Sequence, residues 1–192
     1  MSRATDHEVV SIYPLSEAQI NELMTKAPEC VLIWDTLDHW PVGVVHSFLW
    51  HDGKVWLTFA SHRHRAAAIR RNPRVCVTVT GRTLAPEDTP KGQATMKGIA
   101  RFHDDQPTKE WFYRALSKKG NPTDPVAEQD FYELLDSPLR TVLEITPEKW
   151  ITFDAGKSAR HRAGTLPESE LGPRLGVDTD RLAAERKRRG LD

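Results

Sequence analysis

Three β-rich runs follow one another between residues 30 and 60, and this succession limits the possible folds more than any other feature. The runs are residues 30–36, 42–50 and 54–60. Asp52-Gly53 joins the second run to the third, which predicts an antiparallel hairpin because the turn needs positive φ and glycine adopts it freely. A doubly wound parallel sheet is disfavoured, since parallel strands need a long crossover connection between them.

Further β-rich runs alternate with short helical segments as far as residue 154. A helix opens at Ser16, with Gln19 placed for a capping box, and ends before Pro28. Later helices are predicted at 63–71, 108–118 and 130–135, and later strands at 74–80, 93–103, 140–146 and 150–154. Six or seven strands with short helices predict a mainly β (α+β) fold. A closed or nearly closed antiparallel barrel would hide the strand edges.

The chain divides by composition into a domain at residues 1–154 and a polar tail at residues 155–192. Apolar periodicity fades after residue 154, although residues 178–189 could form a helix. We expect the tail to be mobile or docked on a partner subunit. Its basic residues are diluted by acidic ones, which favours a solvated helix face over a nucleic-acid site.

Charge and hydropathy exclude several classes of protein. Lys+Arg and Asp+Glu both number 27, so net charge gives no support for general nucleic-acid binding. No apolar run approaches the ~20 residues that cross a bilayer. The first ten residues lack the apolar core of a signal peptide, so we expect a cytoplasmic protein without a membrane partner. Cys30 and Cys76 have no metal-ligand neighbours at short spacing, which predicts buried reduced thiols and no metal site.

The segment from Thr58 to Pro73 carries the clearest chemical signal. A strand ends there and a helix begins within a few residues, with Arg63, His64 and Arg65 at its opening. Cations are unfavourable at a helix N-terminus, where the dipole and free N–H groups are already positive. Such a cluster is explained if an anion binds there, and phosphate is the usual one. Ser61 can add a hydroxyl donor to such a site. The alternative to a phosphate site is an ordinary surface helix whose cations are solvated.

The order of these features resembles the pyridoxamine 5'-phosphate oxidase-like flavin-binding split barrels. The resemblance covers about residues 10–155. The matching segments are Phe48-Leu49-Trp50, Asp52-Gly53, Leu57-Thr58, Arg63-His64-Arg65, Ile69, Arg71-Asn72-Pro73-Arg74-Val75, residues 96–104 and residues 140–154. Arg65 stands where the family usually has Lys, which keeps the charge, and His64 stands where Arg is common. The fuller substrate-binding set of the true pyridoxamine phosphate oxidases is absent.

The resemblance implies a cofactor site at the interface of a homodimer. Arg63 and Arg65, with His64 between them, would neutralise the cofactor phosphate. Lys97 would approach from the next strand, of the same chain or of its partner. The remaining positions fall into two groups. Val45, His46 and Ser47 would lie beside the isoalloxazine ring, mainly through backbone groups, and Thr58, Phe59, Ala60 and Ser61 would flank the ribityl and phosphate portion.

The resulting hypothesis is an FMN-dependent oxidoreductase that acts on a small-molecule substrate. Three alternatives stay open: a reductase that uses the deazaflavin coenzyme F-420, a non-catalytic flavin- or haem-binding protein, and an adaptor acting through the tail. His46 could hand a proton to substrate, since the pKa of histidine lies near neutrality. The alternative is a half-buried strand histidine with a backbone partner, so no catalytic residue is assigned.

Overall fold

The computed structural model describes residues 10–84, 90–173 and 176–191, and seven antiparallel strands form its framework. The predicted domain and tail also include residues 1–9, 85–89, 174–175 and 192, which lie outside the described residues. The strands are β1 (Glu29–Asp35), β2 (Pro41–Ser47), β3 (Leu49–His51), β4 (Lys54–Ala60), β5 (Arg74–Thr80), β6 (Gln93–His103) and β7 (Arg140–Phe153). The helices are α1 (Glu17–Lys26), α2 (His64–Arg71), α3 (Gln106–Gly120), α4 (Pro125–Leu135), α5 (Ala155–Arg162) and α6 (Gly176–Arg188). The mainly β, α+β prediction is confirmed.

The sheet curls until its two edges meet, as a split barrel requires. Its strand order is β2-β1-β5-β6-β7-β4-β3, so β2 and β3 stand at opposite ends of the order. Only Phe48 separates these two strands along the chain. The rings of His46 on β2 and Phe59 on β4 are 5.9 Å apart, although four other strands separate β2 from β4 in the strand order of the sheet. The two edges are therefore neighbours in space, and the apolar core lies between them.

The predicted strand at residues 42–50 is instead two strands, and Phe48 marks the break. β2 pairs with β1, whereas β3 pairs with β4. The Phe48 side chain is fully buried at the point where the chain passes from one edge of the sheet to the other. The run of apolar residues continues through the break, and for that reason alternation alone does not reveal it.

The last two predicted strands form one continuous strand, β7. Gly98 pairs with Pro147 and Lys97 pairs with Lys149, so Glu148 is an extra residue at a bulge. The bulge accommodates a proline inside a strand that would otherwise need its N–H. A Cβ atom on Gly98 would lie 2.6 Å from the Thr146 carbonyl oxygen, which explains the glycine at the predicted bend.

Capping residues set the ends of the helices. The capping box of Ser16 and Gln19 is present at α1, as predicted. α4 begins at Pro125 rather than at residue 130, because the Asp124 side chain accepts hydrogen bonds from two amides of its first turn. None of the helices among the described residues is long and apolar enough to span a membrane.

The first helix of the predicted tail packs on the N-terminal segment of the same chain. Asp154 caps α5, so the helix begins at the predicted boundary. The Tyr13 hydroxyl lies 2.8 Å from His161 Nδ1, and Lys157 Nζ donates to the Pro14 carbonyl. α5 is therefore held by its own chain, and docking of the tail on a partner stays a prediction.

The two thiols differ in burial. Cys30 is buried on β1, and burial raises the pKa of its thiol to about 12, whereas Cys76 is only half-buried on β5. Both are unpaired, as predicted, but the expectation that both are buried is wrong for Cys76. The Cys76 side chain lies on the outer face of β5, because it alternates with the inward-facing Val75 and Val77.

Candidate functional site

The corner between β4 and α2 is a tight turn that ends in an uncapped helix. β4 ends at Ala60, and the Arg63 N–H donates to the Ala60 carbonyl at 3.0 Å. The Ser61 N–H donates to the Leu139 carbonyl at 2.7 Å, which ties the turn to the residues before β7. Arg63 is the N-cap of α2 in extended conformation, and no side chain caps the helix. The helix N-terminus is therefore available to an external anion.

The cations predicted here divide between the surface and the mouth of the barrel. Arg63 and His64 are exposed, whereas Arg65 is half-buried. Arg65 Nη1 donates to His46 Nε2 at 2.6 Å. Its guanidinium carbon lies 5.6 Å from the centre of the Phe59 ring and 5.7 Å from that of Trp34. The barrel mouth thus orients Arg65 through one hydrogen bond and two aromatic contacts.

The electrostatics of the corner favour an anion. Burial lowers the pKa of Arg65, and the neighbouring Arg63 lowers it further. Within the described part of the chain, neither arginine forms an ion pair with a carboxylate. Burial lowers the pKa of His46 to about 4, with Arg65 and Arg140 adding to the effect, so this ring is neutral at pH 7. A neutral ring that accepts at Nε2 carries its proton on Nδ1.

The other predicted positions on β4 serve the corner in different ways. Phe59 is buried against Arg65, as described above. Thr58 is buried and donates its hydroxyl to the Thr141 carbonyl at 2.8 Å, so its side chain is engaged in the sheet. Ala60 and Ser61 are half-buried at the turn, where the Ser61 carbonyl accepts a long hydrogen bond of 3.4 Å from Arg70.

Three predicted positions lie on the outer face of the sheet rather than at the barrel mouth. Val45 and Ser47 are exposed on either side of His46, because successive side chains of a strand point to opposite faces. Lys97 is exposed on β6 and lines a depression of about 280 Å³ together with Arg74, Cys76 and Glu148. One chain therefore gathers His46, Phe59 and Arg65, whereas Lys97 lies in a separate depression.

Sequence reasoning missed two residues of the barrel mouth. Trp34 contacts Arg65 at the barrel mouth and also lines the depression that holds Lys97. It therefore lies between the barrel mouth and that depression. Arg140 lies close enough to lower the pKa of His46. The alternation of Cys30, Leu32 and Trp34 on β1 marks Trp34 as inward-facing, but no local signal reveals the contact with α2.

The depressed pKa of His46 predicts acid sensitivity of the fold. The unfolded chain takes up a proton near pH 6.5, whereas the folded state does so near pH 4, so stability falls as the pH falls through this window. We expect the His46→Gln variant to lose less stability than the wild type between pH 7 and pH 4.5, measured by urea unfolding. The matched control is His62→Gln, at an exposed histidine near the corner. Identical pH profiles for wild type and His46→Gln would contradict the assignment of a buried neutral His46.

The fold and the corner define a class: an antiparallel split barrel with a cluster of cationic side chains between β4 and α2. The chain belongs to the pyridoxamine 5'-phosphate oxidase family, whose model matches residues 17–154. No curated protein matches the sequence.

Solved structures with the same fold are distant in sequence. A conserved hypothetical protein from Mycobacterium tuberculosis is 19% identical, with 90% of this chain and 98% of that chain covered and a TM-score of 0.62. A FAD-binding protein from Mesorhizobium loti is 17% identical, with 75% and 98% covered and a TM-score of 0.55. An F-420 reductase is 18% identical, with 71% and 98% covered and a TM-score of 0.52.

Proposed function

We propose that this protein is a flavin-dependent oxidoreductase that binds FMN by its phosphate at the corner between β4 and α2. The observation that carries the proposal is the uncapped N-terminus of α2, with Arg63 at the N-cap and Arg65 in the first turn, where neither arginine forms an ion pair with a carboxylate among the described residues. Such a corner fits a dianionic group, because guanidinium donors and free amides both bind phosphate oxygens. The Ser61 side chain stands at the same turn and can donate its hydroxyl.

In this proposal the planar part of the flavin lies beside β2, at the mouth of the barrel. β2 is an edge strand that pairs only with β1 among the described residues, so residues 45–47 can offer backbone N–H and C=O groups to ring heteroatoms. Phe59 and Trp34 supply apolar walls that exclude water. Neutral His46 adds no charge to them. When bound, the flavin supplies hydride and electron chemistry, and the protein orients it.

Family membership and two of the similar structures support a flavin-type cofactor. One of these structures is named an F-420 reductase and another a FAD-binding protein. F-420 also carries a phosphate, so the corner suits a deazaflavin as well as FMN. FMN is the first choice here because the family resemblance centres on FMN-binding split barrels.

The outer face of the sheet supports a homodimer. Cross-strand pairing aligns Val45, Val31, Thr78, Thr95 and Ile151 in one row over β2, β1, β5, β6 and β7. Val45 and Ile151, at the two ends, are 56% and 54% exposed. Exposed apolar side chains on a sheet face are typical of an interface, and the two half-buried threonines between the apolar ends bond to each other at 3.0 Å.

Replacement of Ile151 by Glu is expected to separate the two copies. The change places a carboxylate at the Ile151 end of this row, where pairing of two copies would remove it from water. Light scattering should give a mass of twice 21.8 kDa for the wild type and close to 21.8 kDa for Ile151→Glu. Leu134→Glu is the control, since Leu134 is also exposed, at 65%, but lies on α4 rather than on the sheet. A wild-type monomer, or a dimer unchanged by Ile151→Glu, contradicts this interface.

The absorption spectrum and a set of titrations test the proposed function. The apo-protein should bind FMN more tightly than F-420 or haem, and the loaded protein should turn over with NAD(P)H and an electron acceptor. Tighter binding of F-420 would make the protein a deazaflavin reductase. Tight FMN binding without any turnover would make it a flavin-binding module, and preference for haem would overturn the flavin assignment.

A further inference from the structure

A second pocket lies outside the corner, between α1, α3 and the end of β2. It measures about 370 Å³, and its walls mix apolar and polar side chains. Pro28, Leu116 and Phe131 supply apolar surface, whereas Thr25 and Ser47 supply hydroxyl groups. The charged residues on its wall are Lys26, Glu29 and Lys119.

Lys119 is a half-buried cation whose ammonium is held by backbone carbonyl groups. Its ammonium donates to the Ala27 carbonyl at 2.8 Å and to the Phe48 carbonyl at 3.0 Å, and it lies 4.4 Å from the centre of the Phe48 ring. No carboxylate forms an ion pair with it in the described part of the chain. An ammonium has three N–H donors, so one donor is left for a ligand after the two carbonyls are served.

The surroundings of Lys119 do not supply the missing charge. Its neighbour Cys30 keeps a neutral thiol, because burial raises the pKa of that thiol to about 12. Glu29 is exposed on β1, and Lys26 on the same pocket wall forms an ion pair with Glu22 at 2.8 Å. Burial accordingly lowers the pKa of Lys119 to about 8. A buried charge that is solvated only by carbonyl groups gains most from an added anion.

We propose that this pocket binds the carboxylate of a small, otherwise apolar acid, with Lys119 as the residue that holds the carboxylate. The one cation on this wall that forms no ion pair among the described residues matches one negative charge, and the Ser47 hydroxyl can donate to a carboxylate oxygen. The Thr25 hydroxyl already donates to the Asn21 carbonyl at 2.7 Å, so Thr25 contributes only to the wall. The apolar body of the acid packs against Pro28, Leu116 and Phe131. The pocket uses the Ser47 hydroxyl, whereas the proposed flavin site uses the backbone of the same residue, and the proposal is tested without any cofactor.

Titration calorimetry with 3-phenylpropionate tests the site in the full-length apo-protein. We expect saturable binding at pH 7 that weakens at least tenfold in Lys119→Gln, which keeps an N–H donor but loses the charge. Lys118→Gln, one residue away on the exposed side of α3, should bind like the wild type. Binding by the wild type should also weaken about tenfold from pH 7 to pH 9, as the ammonium deprotonates near pH 8.

The same experiment includes outcomes that overturn the proposal. Absence of saturable binding, unchanged affinity in Lys119→Gln, or unchanged affinity at pH 9 would each do so. Equally tight binding of the uncharged 3-phenylpropanol would show a merely apolar pocket. Tighter binding of phenyl phosphate than of 3-phenylpropionate would show that the pocket selects phosphates rather than carboxylates. The pH comparison uses the wild type alone, so it decides the question even where a Lys119 variant folds poorly.

Discussion

Replacement of Arg65 by Ala is expected to weaken FMN binding by about tenfold to a hundredfold. A hydrogen bond to a charged group contributes ~1.5–3 kcal/mol, and each 1.4 kcal/mol is a factor of ten in affinity. Among the described residues Arg65 forms no ion pair that the substitution would break, but its hydrogen bond to His46 is lost in the free protein, so urea unfolding of the apo-variant accompanies the binding measurement. Quenching of flavin fluorescence on titration gives the dissociation constants.

The controls for this substitution lie on the same helix. Arg71, at the other end of α2, donates to the Asp35 carbonyl and is far along the helix from the N-terminus, so Arg71→Ala should bind FMN like the wild type. Arg65→Lys keeps the charge but loses the planar fork, and it should retain part of the affinity. If Arg65→Ala and Arg71→Ala bind FMN equally well, Arg65 does not hold the phosphate.

Replacement of Phe48 by Ala is expected to cost ~3–5 kcal/mol of the free energy of unfolding. The side chain is fully buried, and it lies where β2 passes to β3 across the closure of the barrel. Its loss leaves a cavity at this closure, and it also removes the ring beside the Lys119 ammonium. Urea unfolding measures the change.

Leu37 provides the comparison for Phe48. It is 77% exposed between β1 and β2, so Leu37→Ala should change the unfolding free energy by no more than ~0.5 kcal/mol. Phe48→Leu keeps most of the apolar volume and should fall between the two. A loss of less than ~1 kcal/mol in Phe48→Ala, below the range for buried aromatics, would show that the barrel closure does not depend on this side chain.

The sequence predicts the elements whose signals are local. β4, β5 and β6 have the predicted bounds, since turns and proline mark their ends and side chains alternate along them. The break at Phe48 was not predicted, because it arises from closure of the barrel, which brings distant edges together. The continuous β7 was not predicted either, because a bulge opposite Gly98 accommodates Pro147.

The candidate site shows the same division between local and distant signals. The cluster of Arg63, His64 and Arg65 can be predicted from the sequence because its residues are contiguous and stand at the start of a helix. The contacts of Arg65 with His46 and Trp34 depend on the curl of the sheet and have no sequence signal. Lys119 is likewise an ordinary helix lysine in the sequence, and only the fold shows that its ammonium donates to the carbonyl groups of Ala27 and Phe48.

The affinities of the wild-type protein for FMN and for riboflavin test the central claim most directly. The two ligands share the isoalloxazine ring and the ribityl chain and differ only in the phosphate. If Arg63, Arg65 and the open end of α2 bind that phosphate, FMN should bind at least about tenfold more tightly than riboflavin. Equal dissociation constants, or no binding of either ligand, would contradict the account.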